Sequence, residues 1–333
     1  MGRFLPLVIC VVGCLLALIL AAAISLHFLW ALIVFLPLAA VGVRDLFQER
    51  HSLLRNYPVT AHLRWIFEGF RPEIRQYFIE GDVGGMPFDR DQRSLVYERA
   101  KNEKSEEPFG TELDVYASGY EWFAHSLAPK PQAESHFRVE VGGPGCTRPY
   151  SMALLNVSAM SFGALSSNAI RALNKGAQLG GFAHDTGEGG LTQYHLENGG
   201  DIVWEIGSGY FGCRSPDGTF DPEKFREKAN LEQVKCINIK LSQGAKPGLG
   251  GVMPAAKVTP EIAEIRGVPV GQKCVSPSHH TAFSTPRELL QFVVRLRDLA
   301  SGRPTGFKLC IGQGSDFLGI CKAMLETEIY PDF

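Results

Sequence analysis

The chain has 333 residues, with 33 basic against 35 acidic side chains, 45% hydrophobic and 20% charged content. That balance excludes the basic footprint of a nucleic-acid binder, and the apolar content excludes a largely disordered chain. Glycine is frequent, 36 of 333, and clusters in loops beyond residue 140, a pattern of tight backbone packing and ligand approach rather than of linkers. The eight cysteines (Cys10, Cys14, Cys146, Cys213, Cys236, Cys274, Cys310 and Cys321) form no Cys-x-x-Cys pair and no zinc-finger spacing. They read as reduced thiols, and no metal site is expected.

Between Arg3 and Arg44 the 40 residues from Phe4 to Val43 include no Asp, Glu, Lys or Arg. One helix of that length would be about 60 Å long, roughly twice the hydrocarbon thickness of a bilayer. Two helices of about 18–20 residues, turning within residues 25–30, match it better. A signal peptide has a much shorter apolar region; one crossing followed by an interfacial segment is the competing reading. Arg3 lies at one end and Arg44, Arg50 and Arg55 follow the other, which by the positive-inside rule puts both ends in the cytoplasm. The expectation is a multi-pass membrane protein anchored through residues 4–43, with residues 1–45 as a transmembrane hairpin and the catalytic region cytoplasmic.

Residues 46–133 read as a helical connecting region. Pro72 suits the first turn of a helix running through Arg75 and Phe78. The aromatic and arginine side chains within residues 57–80 suit either packing or contact with anionic lipid. Residues 101–107 form a solvated charge run, and Pro129-Lys130-Pro131 marks a boundary.

Residues 134–333 alternate strand and helix. Strands are predicted at 137–141 and 153–157, followed by a helix that Ser166 caps and Gly180-Gly181 ends. A strand at 202–206, a helix from Pro222 and a strand at 236–241 come next. Thr259-Pro260-Glu261 and Thr285-Pro286-Arg287-Glu288 each open a helix, the second keeping Leu289, Val293, Leu296 and Ala300 at helical spacing. A strand at 307–311, a helix at 316–326 and the start of a strand at 329–333 complete the pattern. Such alternation argues for a parallel sheet or a (β/α) barrel, whose sites are built from the segments after the strands. The expected fold class is α/β: the N-terminal part of a (β/α)8 TIM-type barrel, about five units of it, preceded by the helical region and the transmembrane hairpin.

Several segments after strands hold chemistry-bearing residues, each with a plain structural reading beside the functional one. Residues 161–166 follow a buried strand, and their amides can hold a planar ring or an anion, or simply turn the chain. Asp185-Thr186-Gly187-Glu188-Gly189-Gly190 offers Glu188 on a side-chain-poor loop as acid, base or hydrogen-bond partner, or as an exposed turn. The Gly-rich run 243–251 carries Lys246 but lacks the order of a phosphate loop; the lysine suits a carboxylate as a point charge. Lys308 interrupts the apolar run Phe307-Lys308-Leu309-Cys310-Ile311, a costly placement unless it faces an anion or an electron-rich ring, or snorkels outward. Ser278-His279-His280 points its two imidazoles in different directions and does not suit a metal.

Together these segments resemble the FMN-binding domain of glutamate synthase. The matching pieces are Ser-Ala-Met-Ser-Phe-Gly-Ala-Leu-Ser (158–166), Thr-Gly-Glu-Gly-Gly (186–190), Gly-Ser-Gly-Tyr-Phe-Gly (207–212), Gln-Gly-Ala-Lys-Pro-Gly-Leu-Gly-Gly (243–251), Val-Ser-Pro-Ser-His-His (275–280) and Phe-Lys-Leu (307–309). They occur in the family's order, and the apolar N-terminus resembles the stand-alone, membrane-associated branch. The resemblance implies a (β/α) barrel with FMN at the strands' C-terminal ends and reductive amination of 2-oxoglutarate with ammonia. It implies Ala159, Met160, Ser161 and Lys308 as cofactor-binding residues, and Glu188 and Lys246 as catalytic ones. Gln243 and Lys246 would hold the oxo-acid carboxylates.

Three departures from the family pattern stand out. Tyr210 occupies the position where the motif usually has an arginine, and a phenol cannot make the bidentate carboxylate pair; Tyr210 and Arg214 are therefore the expected substitutes in substrate binding. No glutaminase sequence precedes the barrel, so ammonia is expected free or from another subunit. The family's iron–sulfur cysteine motif and flavin phosphate site belong to later strands than these, so a partner chain or self-association is expected to complete the barrel. The alternatives are a non-catalytic or partner-dependent membrane-bound fragment, or an FMN barrel acting on another substrate. A hydroxy-acid enzyme is disfavoured by the lack of an adjacent Arg-His pair suited to hydroxyl deprotonation beside a carboxylate.

Overall fold

A run of apolar side chains in water or lipid leaves the backbone to bond with itself, and the N-terminal segment forms two helices. These are α1 (Leu5–Ala23) and α2 (Leu32–Phe47), joined through Ser25 and a short 3-10 turn, Leu26–Ala31. Ser25 Oγ accepts the His27 N–H and starts that turn. The helices run antiparallel at close quarters: a Cβ on Gly13 would come within 2.7 Å of the Phe35 ring, and one on Gly42 within 2.6 Å of Leu7. With their flanking turns, Gly2–Ala23 and Leu26–Phe47, both are long and apolar enough to cross a membrane.

The computed structural model describes residues 2–103, 114–131, 137–244 and 250–333, and the chain divides into two compact units, Met1–Pro129 and Lys130–Phe333. In the first unit α3 (Ser52–Asn56), α4 (His62–Ile74) and α5 (Arg90–Lys101) follow the hairpin. Pro72 does not open a helix as predicted. It lies inside α4, which widens one turn later into a π turn, Arg75–Ile79; a proline gives no N–H to the helical ladder, so the regular pattern is already interrupted there. Residues 104–107 of the charge run lie outside the described residues.

In the second unit β1 (Arg138–Val141) pairs antiparallel with β2 (Tyr150–Ala153). The strand predicted at 153–157 is split: β2 ends at Ala153, the chain turns, and Val157 alone bridges in parallel to His184. After α6 (Ser167–Gly180) come β3 (His184–Asp185), α7 (Gln193–Leu196), β4 (Ile202–Ile206), α8 (Pro222–Ala229) and β5 (Val234–Lys240). An excursion then carries β6 (Val252–Met253), α9 (Pro260–Arg266) and β7 (Cys274–Val275) before α10 (Pro286–Leu299), β8 (Thr305–Lys308) and α11 (Gly314–Thr327). The main sheet is parallel in the order β3-β4-β5-β8. Beyond β8, Asp332 N donates to Thr305 O at 3.0 Å and Phe307 N to Phe333 O at 3.3 Å.

Alternation along these strands assigns the two faces. Ile202, Trp204, Ile206, Ile237 and Ile239 face α8, α10 and α11 and form the main core with Phe225, Leu289, Val293 and Leu296. Trp204 stacks on Phe225 with ring centres 5.3 Å apart. On the other face, near the strands' N-terminal ends, Ala183, Val203 and Cys236 pack under Tyr150 and Met152 of β2. The Asp332 carboxylate is fully buried; it accepts from Gly143 N, Thr305 N and Arg297 Nε at 2.6, 2.7 and 2.9 Å.

Candidate functional site

Where the non-helix face of the sheet reaches the strands' C-terminal ends, the apolar layer gives way to charge. Strand register puts Glu205 of β4 beside Asn238 of β5, and Lys240 beside Lys308 of β8; Asp185 ends β3. Lys308 Nζ donates to the buried Glu205 carboxylate. Asp185 accepts from Gly187 N at 2.9 Å and from Asn238 Nδ2 at 3.0 Å. Lys240 Nζ lies 3.1 Å from Glu188 Oε1 and donates to Gln243 Oε1 at 2.8 Å.

Burial dominates the electrostatics. Desolvation, reinforced by the neighbouring Asp185 carboxylate, pushes the Glu205 carboxyl up to about 7 against the opposing pull of Lys308. Asp185 is raised as well, chiefly by its own burial. A carboxyl that titrates near neutrality can hold or release a proton under ordinary conditions.

Above this floor lies a cleft of about 650 Å³. One wall is the backbone of Ala159, Met160 and Ser161; Glu188, Gln243, Lys240, Glu205 and Lys308 line the rest, together with Leu309 and Cys310. The glycines of the 186–190 loop let it press on that wall. Gly187 has φ +65, and a Cβ there would come within 2.6 Å of Ser161 N and 2.8 Å of the Met160 carbonyl carbon. The arrangement offers a backbone surface for a flat group, two ammonium groups for negative charge and one carboxyl that titrates near neutrality.

Six residues singled out from the sequence (Ala159, Met160, Ser161, Glu188, Gln243 and Lys308) therefore meet in one cleft. Lys246 lies outside the described residues. Tyr210 and Arg214 are not among the described residues that line the cleft. Tyr210 is fully buried and adopts φ +48, turning its phenol into the core, where it meets His280 Nδ1 at 3.1 Å and accepts the Ala282 N–H at 3.1 Å. Arg214 instead sets its guanidinium over the Phe211 ring, 5.7 Å from the centroid. Of the adjacent histidines, His280 is buried against Lys240 O at 2.8 Å and stacks on Phe283, while His279 meets Ser278 Oγ at 3.0 Å. Among the described residues no group of His, Cys, Asp or Glu is placed to hold a metal ion.

Glu205 and Lys240 were missed by the sequence reading. Glu205 carries the signal that exposed Lys308, a single charge in a strand otherwise apolar (Ile-Val-Trp-Glu-Ile), whereas Lys240 ends a strand that already holds Lys235 and Asn238.

Comparison with known proteins places the chain. The family model described as a conserved region in glutamate synthase matches residues 147–329. The glutamate synthase large subunit-like protein YerD of Bacillus subtilis is 34% identical over 89% of this chain and 63% of its own length. The archaeal-type glutamate synthase (NADPH) of Thermotoga maritima is 33% identical over 46% of this chain and 28% of its own. A glutamate synthase large subunit-like protein of Rhizobium meliloti is 29% identical over 44% of this chain and 30% of its own. The chain thus spans less than two thirds of the length of each of these relatives.

Proposed function

We propose a function from one premise: the chain belongs to the glutamate synthase family. The second unit is the first part of an FMN-binding (β/α) barrel. The protein is an oxidoreductase that forms an amino acid from 2-oxoglutarate, or a related oxo-acid, and ammonia. Helices α1 and α2 anchor it as a membrane hairpin with the second unit on the cytoplasmic side.

The cleft fits a flavin ring. The backbone of residues 159–161 gives a flat wall, Gly187 keeps the opposing loop free of a Cβ that would displace that wall, and Lys308 presents a positive charge. FMN, when bound, supplies transfer of a hydride equivalent. Ala159, Met160, Ser161 and Lys308 would hold it, the lysine favouring the ring's electron-rich form. Glu205 fixes the Lys308 ammonium and, titrating near 7, adjusts the local charge by taking up or releasing a proton. Lys240 orients Glu188 and Gln243; Gln243 and Lys246 take the oxo-acid carboxylates, and Glu188 stands at the imine-forming carbon as the acid–base group. Because Tyr210 and Arg214 point elsewhere, carboxylate recognition falls to the lysines and Gln243, which favours a related oxo-acid as readily as 2-oxoglutarate itself.

A single observation carries this reading: residues from four stretches of chain, at 159–161, 188, 243 and 308, line one cleft. The test is an FMN titration of the detergent-purified chain, following the quenching of flavin fluorescence. Saturable one-to-one binding is expected, weakened about tenfold or more in Lys308→Ala, the effect of losing one charged contact. Absence of binding by the folded chain would overturn the proposal.

A further inference from the structure

Helix α4 begins at a junction fixed to the hairpin. Asp45, near the end of α2, is almost fully buried and accepts from His62 Nε2 at 2.9 Å and from Val59 N at 3.1 Å. Val59 is held at φ +67, a conformation a β-branched residue rarely adopts. At the same end of the hairpin, Arg3 reaches Asn56 Oδ1 at 3.5 Å, and Gly42 is closed in by Leu7 and Val59. The first residue of α4 is therefore tied to the point where α2 ends.

Every residue from 63 to 79 is exposed, yet the helix is strongly two-sided. Leu63, Ile66, Phe67, Phe70 and Ile74 fall within an arc of about 100°. Phe67 is 64% exposed and Phe70 59%, an apolar stripe with nothing in the chain against it among the described residues. Arg64, Arg71 and Arg75 follow one flank of the stripe. There they border a groove of about 720 Å³ whose apolar lining includes Phe67, Ile74 and Ile79. Glu68 pairs with Arg64 and Glu80 with Arg93, while Arg71 and Arg75 make no ion pair among the described residues. Unpaired cations beside an apolar stripe match the boundary between anionic headgroups and acyl chains.

We infer that α4 and the π turn after it lie on the cytoplasmic surface of an anionic phospholipid bilayer, the apolar stripe buried and the arginine-lined groove holding a headgroup phosphate. This rests on the proposed crossing by α1 and α2, which brings the start of α4 to the bilayer edge.

Amide hydrogen exchange on the full chain tests it, in nanodiscs of phosphatidylcholine with and without phosphatidylglycerol. Peptides from 62–79 are expected to exchange about tenfold more slowly or better with the anionic lipid present. Arg71→Gln/Arg75→Gln should erase most of that difference, since each arginine near an anionic surface is worth roughly fivefold. Both positions are exposed, so folding is spared. Equal exchange of 62–79 in the two nanodiscs, with α1 and α2 protected, would overturn the surface contact and leave the crossing standing. Rapid exchange in α1 and α2 would overturn the crossing and the contact with it. Protection that rises with protein concentration would assign the stripe to a second copy of the chain and overturn the lipid assignment.

Discussion

The two faces of the β3-β4-β5-β8 sheet are made by alternate residues of the same strands and do opposite work. Facing the helices are Ile202, Trp204, Ile206, Ile237 and Ile239, all nearly or fully buried. Facing the cleft at the strands' C-terminal ends are Asp185, Glu205, Asn238, Lys240 and Lys308. Burial on the first face removes apolar area from water, at about 25 cal/mol per Å². Burial on the second is unfavourable for every charge and persists because the charges meet one another. A sheet enclosed on both sides tolerates such a row where a ligand or reaction makes use of it. Each face has one exception that proves instructive. His184 sits on the helix side with neither ring nitrogen partnered among the described residues, and Val203 with Cys236 keeps the far end of the cleft side dry.

The comparison breaks first at Trp204. Trp204→Ala should cost about 3–5 kcal/mol in the second unit's calorimetric transition; a loss below about 1 kcal/mol would mean the helix-facing side is not the stabilising one. Next is the charged side. The Glu205 carboxyl titrates at about 7 in the folded chain, above its ordinary value near 4.5. Its contribution is therefore complete below about pH 4.5 and is lost as pH rises through 7. Lys308→Ala removes the group that opposes this rise. The variant should be close to wild type near pH 5 and lose about 2–3 kcal/mol near pH 8, with the added change Glu205→Gln flattening the profile. A pH-independent loss in the single variant would break the pairing. The smallest effect sharpens the exception. Burial lowers His184 to about 4, so the unfolded chain takes up the proton first and stability falls as pH drops below about 6.5. His184→Leu should recover about 2 kcal/mol near pH 5 and almost nothing near pH 8, read as a shift in the same transition.

Much of the α/β unit was legible because its signals are local. Ser166, Thr259 and Thr285 each accept the backbone N–H three residues on, as the capping pattern demands, and the strand at 202–206 appears with those bounds. Lys308 was legible because a charge interrupts an apolar run. Glu205 carried the same signal and was missed, although the glycine-rich segment 207–212 follows it directly. The inward turn of Tyr210 was not legible at all: it depends on a positive φ and on partners seventy residues away in sequence, His280 and Ala282. The split of the 153–157 strand likewise follows from pairing, since β1 claims residues up to Ala153 while the parallel sheet claims only Val157.

The clasp at Asp332 bears on the order in which the second unit assembles. It joins Gly143 to a carboxylate 189 positions later, and the same carboxylate also holds Arg297 and the start of β8. Contacts of such separation close late, because most of the intervening chain must already be in place. During synthesis the β1–β2 ribbon can pair as soon as it emerges. The knot that ties it to the start of β8 has to wait for the ribosome to deliver residue 332, so the ribbon is among the last parts of this unit to be fixed in place.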